Sequence, residues 1–379
     1  MLSRRSTNDA ARLRLTLSPD DSAALRALVP GPYPSRMTDR VSRSHPDREV
    51  APWRGFLSAL RRLGSKAPAD SPDAPSPPEW RTLDASVPSP GPVAVAGFRS
   101  RLLCLWPTGA LQAFDPALEE WIPRAAAPIA FLSVPAVAMV GDQLHALGFR
   151  RTREGERAIH LGYDPEADYW TELPPAPTSR DGFAVAATAE ALVVAGGRGQ
   201  KDGRPLAVVE AYDPARKRWS TLPALPRAVA FAAATSADGA IQVLGGVERR
   251  AFGLGEKTSR AVQVYTPKTG AWSLAEPLPV ARRGAQATSE GDRLFLVGGS
   301  LANGQLAPIQ AFDAATSLWS DIAAPPRRRH DPGALAIDGA LYLVGGRIGA
   351  TPAASIETRR IDDRHAAADA RRQASSRSA

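Results

Sequence analysis

"LVVAGGRGQKDGRPLAVVEAYDPARKRWSTLPALPR" occupies residues 192–227. An apolar run closes on Gly196 and Gly197, a charged loop follows, a second run ends at Tyr212-Asp213-Pro214, and Trp219 completes the series. The same order returns along the chain. Glycine pairs close "LVVAGG", "IQVLGG", "LFLVGG" and "LYLVGG" at Gly196, Gly245, Gly298 and Gly345, at spacings of 49, 53 and 47 residues. Trp121, Trp170, Trp219, Trp272 and Trp319 keep the same beat, with spacings of 49, 49, 53 and 47. Ahead of each stands an aromatic turn: "AFDP", "GYDP", "AYDP", "VYTP" and "AFDA". Two markers that drift together define an internal repeat of about 50 residues, the period of a propeller with four strands per unit.

Double glycine, aromatic-Asp-Pro turn and following Trp together resemble the kelch repeat, over residues 79–362. Two units depart from the pattern: "LHALGF" (144–149) keeps only Gly148 of the pair, and "LLCLW" (102–106) keeps neither glycine. The letters have a physical reading. Inner runs such as "FAVAATA" are rich in Ala because blades converge at the axis. Glycine ending the second strand allows close approach and backbone angles closed to other residues. Pro after Asp presets a type I turn. Trp on the outer strand covers the seam between blades.

Second strands fall near 102–106, 144–148, 192–196, 241–245, 294–298 and 341–345, which gives six units. The last ends at "SIETRRID" with no Trp after it, whereas "EWRTL" (79–83) precedes the first with Trp80 unused. The expected fold is therefore all-β, a six-bladed kelch propeller with four antiparallel strands per blade. An N-terminal strand closes the ring and removes its open edges.

Outside the ring, residues 1–51 are polar and low in aromatics and read as a disordered extension, within which Met37 offers a second start position. Residues 52–66 place Trp53, Phe56, Leu57 and Leu60 at helical spacing beside basic residues, a short basic amphipathic helix. It suits docking on the propeller, or weak contact with a membrane surface or partner. Residues 67–78 are a Pro-rich linker and 363–379 a disordered tail.

Net charge is +8. The basic N-terminus lacks the apolar core of an export signal and no 18-residue apolar run occurs, so the expectation is cytoplasmic residence. The Ala, Arg and Pro bias hints at a GC-rich bacterial gene. Cys104 is the only cysteine, which excludes an internal disulfide and a cysteine-based zinc site.

Strands alternate direction within a blade, so loops between strands 2 and 3 share a face with the links between blades. That face collects Arg198, Arg249 and Arg347 in its loops and Arg180, Arg227, Arg282, Arg327 and His330 in its links. The opposite face collects Asp142, Glu190, Asp238, Glu290, Asp292 and Asp338. The eight residues are expected to form a basic mouth binding an acidic protein or peptide, or a small anion. In kelch propellers this face often accepts a peptide or small ligand, so the resemblance points there too. Replacing Arg180, Arg282 and Arg347 with Ala is expected to abolish capture and leave the fold intact.

No cofactor, metal or catalytic set is expected. The five histidines are scattered, and His145 reads as a packed strand residue. The copper-radical oxidases that share this fold need a Cys–Tyr crosslink, for which Cys104 in a core strand is ill placed. The alternative reading resembles the kelch sugar-acid epimerases (sialic acid mutarotases), with mouth arginines holding a carboxylate while an acid or His moves a proton. Nucleic-acid binding is disfavoured because the mouth lacks interleaved aromatics to stack bases.

Overall fold

The computed structural model describes residues 79–237, 239–250 and 255–361. The expected extension, amphipathic helix, linker and tail lie outside the described residues. Six four-stranded antiparallel sheets account for the repeats. Blade 3 shows the plan: Ala184–Ala187 innermost, then Leu192–Ala195, Val209–Asp213 and Arg218–Leu222. The inner strand of each blade touches the next, and that of blade 6, Gly333–Ile337, touches Ala94–Phe98 of blade 1. The ring is closed.

Closure uses the N-terminal segment, as the unused Trp80 implies. Arg81–Thr82 pairs with Ile356–Arg360, Arg81 opposite Thr358 and Thr82 opposite Glu357. Trp80 donates its indole N–H to the Ala323 carbonyl of blade 5 at 2.6 Å. Equivalent bonds run from Trp170 to Ala125, Trp219 to Pro174 and Trp272 to Pro223, each reaching the preceding blade. In these four blades the repeating Trp is thus both apolar cover and seam-crossing donor.

Its spacing from the aromatic turn follows from hairpin register. Tyr212 lies directly opposite Trp219, Tyr163 opposite Trp170 and Phe312 opposite Trp319. Ring centroids are 5.3, 4.9 and 5.2 Å apart. Such tilted pairs suit the ring quadrupoles.

The core is divided among the seams. Side chains alternate across each strand, so Leu103 and Leu105 pack toward blade 2 while Leu102 and Cys104 pack toward blade 6. Six clusters result, one for each junction between blades. Glycine pairs let those junctions close. Gly196 has a φ of 64°, and a Cβ there would stand 2.4 Å from the Val229 carbonyl oxygen of the next blade. Gly197 instead donates its N–H to that oxygen at 2.8 Å. In blade 1 Trp106 occupies the place of the first glycine and fills the seam itself, its ring 5.9 Å from Trp121.

Candidate functional site

Inner strands and inter-blade links from all six blades surround an axial opening on the face of the strand 2–3 loops. Its volume is about 560 Å³. The lining is mostly apolar, with Leu132, Phe183 and Phe231 as its largest apolar side chains and Asp331 and Arg347 as its charged ones. Arg347 donates to Asp331 at 2.6 Å, and both are about half exposed.

The eight arginine and histidine positions expected to form the mouth divide into two groups. Arg180 and Arg282 are buried, with 1% and 0% exposure, and do not line the opening. Arg180 pairs with Glu210 at 2.9 Å and donates to the Val194 carbonyl. Arg282 donates to the Pro308 carbonyl and to Gln310, each at 2.6 Å. Desolvation pushes both guanidiniums below their usual range, Arg282 to about 10, against the pull of Glu210 on one and Asp321 on the other. They are internal ties between strands, so the Arg180, Arg282 and Arg347 triple variant would damage the fold.

The remaining positions reach solvent to different degrees. Arg198 is held by Glu256 at 2.9 Å and lies over the Phe231 ring, 5.2 Å from its centroid. Arg227 stands 3.5 Å from Glu248. Arg249 and Arg327 are exposed and have no ion pair among the described residues. His330 is partly buried, and its backbone pairs with that of Arg347 through two 2.8 Å hydrogen bonds.

A repeat rule explains the buried arginines. Arg180, Val229, Arg282 and Arg329 each lie four residues before an inner strand. The facing position on the third strand is Glu210, Gln263, Gln310 and Glu357 in turn. Where Val229 replaces the arginine, the facing group is neutral, and Gln263 bonds the Arg227 backbone instead. A carboxylate appears in these four blades only with a guanidinium to neutralise it, as burial of a lone charge would require. Aligning repeats on the glycine pairs exposes this rule; sorting charges by face does not.

Blade 2 instead buries a pair of neutral imidazoles, one on its second strand and one on its third. His145 Nδ1 and His160 Nε2 are 2.9 Å apart, and His160 Nδ1 lies 2.9 Å from the Pro174 carbonyl. A carbonyl only accepts, so His160 carries its proton on Nδ1 and accepts from His145 through Nε2. His145 Nε2 is left buried without a partner. Burial holds both imidazoles far below their usual range, at about 3 for His145 and about 4 for His160. Cys104 is buried, and desolvation pushes its thiol up. Among the described residues no three His, Cys, Asp or Glu gather as a metal site, and no helix is long and apolar enough to cross a membrane.

A closed ring of Trp-tied, glycine-jointed sheets around a short axial mouth defines a kelch-type propeller. The family model for the KLHDC2/KLHL20/DRC7 Kelch-repeats domain matches residues 135–346, and the chain belongs to the kelch-repeat family. Kelch-like protein 40 of Xenopus laevis is 27% identical over 245 residues, 63% of this chain and 39% of that protein. Kelch-like protein 23 of Pongo abelii is 29% identical over 241 residues, 63% of this chain and 41% of that protein. The chain thus matches about two fifths of the length of these relatives. Among solved structures, "Structure of YjhT" is similar in fold, with a TM-score of 0.59 and 18% identity over 72% of this chain and 94% of that one.

Proposed function

We propose that the protein is a binding module whose strand 2–3 face holds an acidic peptide or protein segment. The observation that carries this reading is the surplus of free guanidinium groups there. Arg150, Arg151, Arg249, Arg283, Arg327 and Arg328 have no ion pair among the described residues, against three unpaired acids on the same face, Glu154, Glu156 and Asp181, while Glu248, Glu256 and Asp331 are already engaged. Unpaired guanidiniums around a concave, low-dielectric mouth attract carboxylates and bind them through paired hydrogen bonds. A cytoplasmic setting belongs to this proposal. The test is fluorescence anisotropy with a labelled decaglutamate peptide. Replacing Arg249, Arg327 and Arg347 together with Ala should weaken binding roughly tenfold, and added salt should weaken wild-type binding as well. Equal affinity in the variant would overturn the reading.

A second reading, a sugar-acid epimerase, draws on the mouth itself. Its volume of about 560 Å³ falls in the range of small-ligand sites, and Asp331 beside Arg347 offers a proton acceptor next to a carboxylate holder. Accelerated anomer exchange of N-acetylneuraminate, lost on Asp331→Asn, would select it over peptide binding.

A further inference from the structure

The rim of the mouth repeats one backbone position in blades 3 to 6. Gly182, Phe231, Gly284 and Asp331 each lie two residues before an inner strand. All four have left-handed backbones, with φ of 56°, 54°, 64° and 49°. Phe231 donates its N–H to the Gly182 carbonyl at 2.6 Å, and Gly284 donates to the Phe231 carbonyl at 2.8 Å. The position is thus part of a collar, hydrogen-bonded across blades 3 to 5, whose geometry suits glycine, and two of these blades use glycine.

Blades 4 and 6 place an aromatic ring and a carboxylate there, Phe231 and Asp331. A bulky aromatic at positive φ is a conformational outlier, and such outliers persist where the surroundings hold them and gather at ligand sites. Phe231 lies over Gly182, where a Cβ would meet its ring at 2.6 Å, and beneath the Arg198 guanidinium. Phe183 on the neighbouring blade 3 and Leu132 on blade 2, the latter 40% exposed, line the same opening. Across the opening Asp331 holds Arg347. The mouth therefore has an apolar side on blades 2 to 4 and a charged side on blade 6.

We propose that this collar selects one bulky apolar side chain within an acidic peptide. Leu132, Phe183 and Phe231 receive that side chain, and Arg347 meets a carboxylate beside it. The inference rests on the acidic-peptide reading above and assigns its specificity. Charge complementarity with the rim arginines fixes the occupant as acidic, and the apolar half of the mouth fixes what must lie among the acids.

Two labelled heptapeptides test it by fluorescence anisotropy: Glu-Asp-Glu-Phe-Glu-Asp-Glu and the same peptide with Ser at the centre. Wild-type protein should bind the Phe peptide at least about tenfold more tightly, the smaller end of what burying an aromatic side chain gives. Phe231→Gly installs the residue that the repeat uses elsewhere, and should bring the Phe peptide down to the affinity of the Ser peptide. Leu132→Ser and Phe183→Ala, each checked by thermal unfolding, should narrow the preference too and serve if Phe231→Gly fails to fold. Equal wild-type binding of both peptides, or an undiminished preference in the variants, overturns the collar while leaving the acidic-peptide reading standing. Binding of neither peptide overturns both.

Discussion

Arg180 and Glu210 lie 2.9 Å apart, with side-chain exposures of 1% and 4%. Glu210 also accepts from the Thr178 hydroxyl at 2.6 Å, so the pair ties an inter-blade link to the third strand of blade 3. Removing one partner of a buried ion pair strands the other charge. Arg180→Val should therefore lower unfolding free energy by about 3–5 kcal/mol. Blade 4 already holds Val229 opposite Gln263. Arg180→Val combined with Glu210→Gln copies that arrangement and should recover at least half of the loss. A double-mutant cycle from urea denaturation checks this. Additive losses would mean that the two side chains are not coupled.

The seam tryptophans differ in one respect that can be measured. Trp219 donates to the Pro174 carbonyl at 2.7 Å, whereas the indole nitrogen of Trp121 is buried without a partner beside Trp106. Trp219→Phe should cost about 1 kcal/mol for the lost bond, and Trp219→Ala about 3–5 kcal/mol for the lost packing. Trp121→Phe removes an unsatisfied donor and should be neutral or slightly stabilising. Denaturation midpoints give the comparison.

These contrasts separate what the sequence expresses from what it conceals. Repeat length, blade number and the closing role of Trp80 are legible because each repeat must place an aromatic opposite a Trp and a glycine at the seam. The fate of a given arginine is not legible from face alone. Arg180 and Arg327 both occupy inter-blade links, yet one is buried against Glu210 and the other is exposed. What separates them is their place in the link: Arg180 lies four residues before its inner strand, where Glu210 faces it, and Arg327 lies six before its own, a distinction visible only once repeats are aligned. The apolar half of the mouth was hidden for a related reason. Phe231 reads as an ordinary strand-flanking aromatic until its place is matched to Gly182 and Gly284.

The buried imidazole pair makes stability depend on pH. Free histidine titrates near 6.5, and both folded values are depressed, to about 3 for His145 and about 4 for His160. A neutral imidazole is therefore favoured by the fold. Its contribution is complete above pH 6.5 and falls as pH drops from there toward 4, because the unfolded chain takes up protons that the folded chain refuses. The loss should be on the order of 2 kcal/mol per histidine by pH 5. His145→Leu should flatten that slope between pH 6.5 and 5, measured by urea midpoints along a pH series. A slope unchanged in the variant would exclude this pair as its source.

Ring closure gives the broadest consequence. The third strand of blade 6, Ile356–Arg360, has Arg81–Thr82 as its outer partner. Leu83, Val87 and Gly91 continue the contact by donating their N–H groups to the carbonyls of Ile356, Ala354 and Ala353. Farther along, Gly346 donates to the Gly91 carbonyl at 2.8 Å, and a Cβ on Gly345 would stand 2.4 Å from that oxygen. Residues 80–91 thus complete blade 6 and also fit its junction with blade 1. A chain starting at residue 92 would expose a strand edge, together with the apolar surface covered by Trp80 and Leu83, and open edges pair with other chains. It should unfold at a lower temperature than the intact protein. It should also associate in a concentration-dependent way, seen as growth of higher-mass species in size-exclusion chromatography with light scattering. Trp80→Ala, which keeps the strand and loses the seam bond, should lower the melting temperature with little association. If the shortened chain stayed monomeric with an unchanged melting temperature, Arg81–Thr82 would have no part in closing the ring.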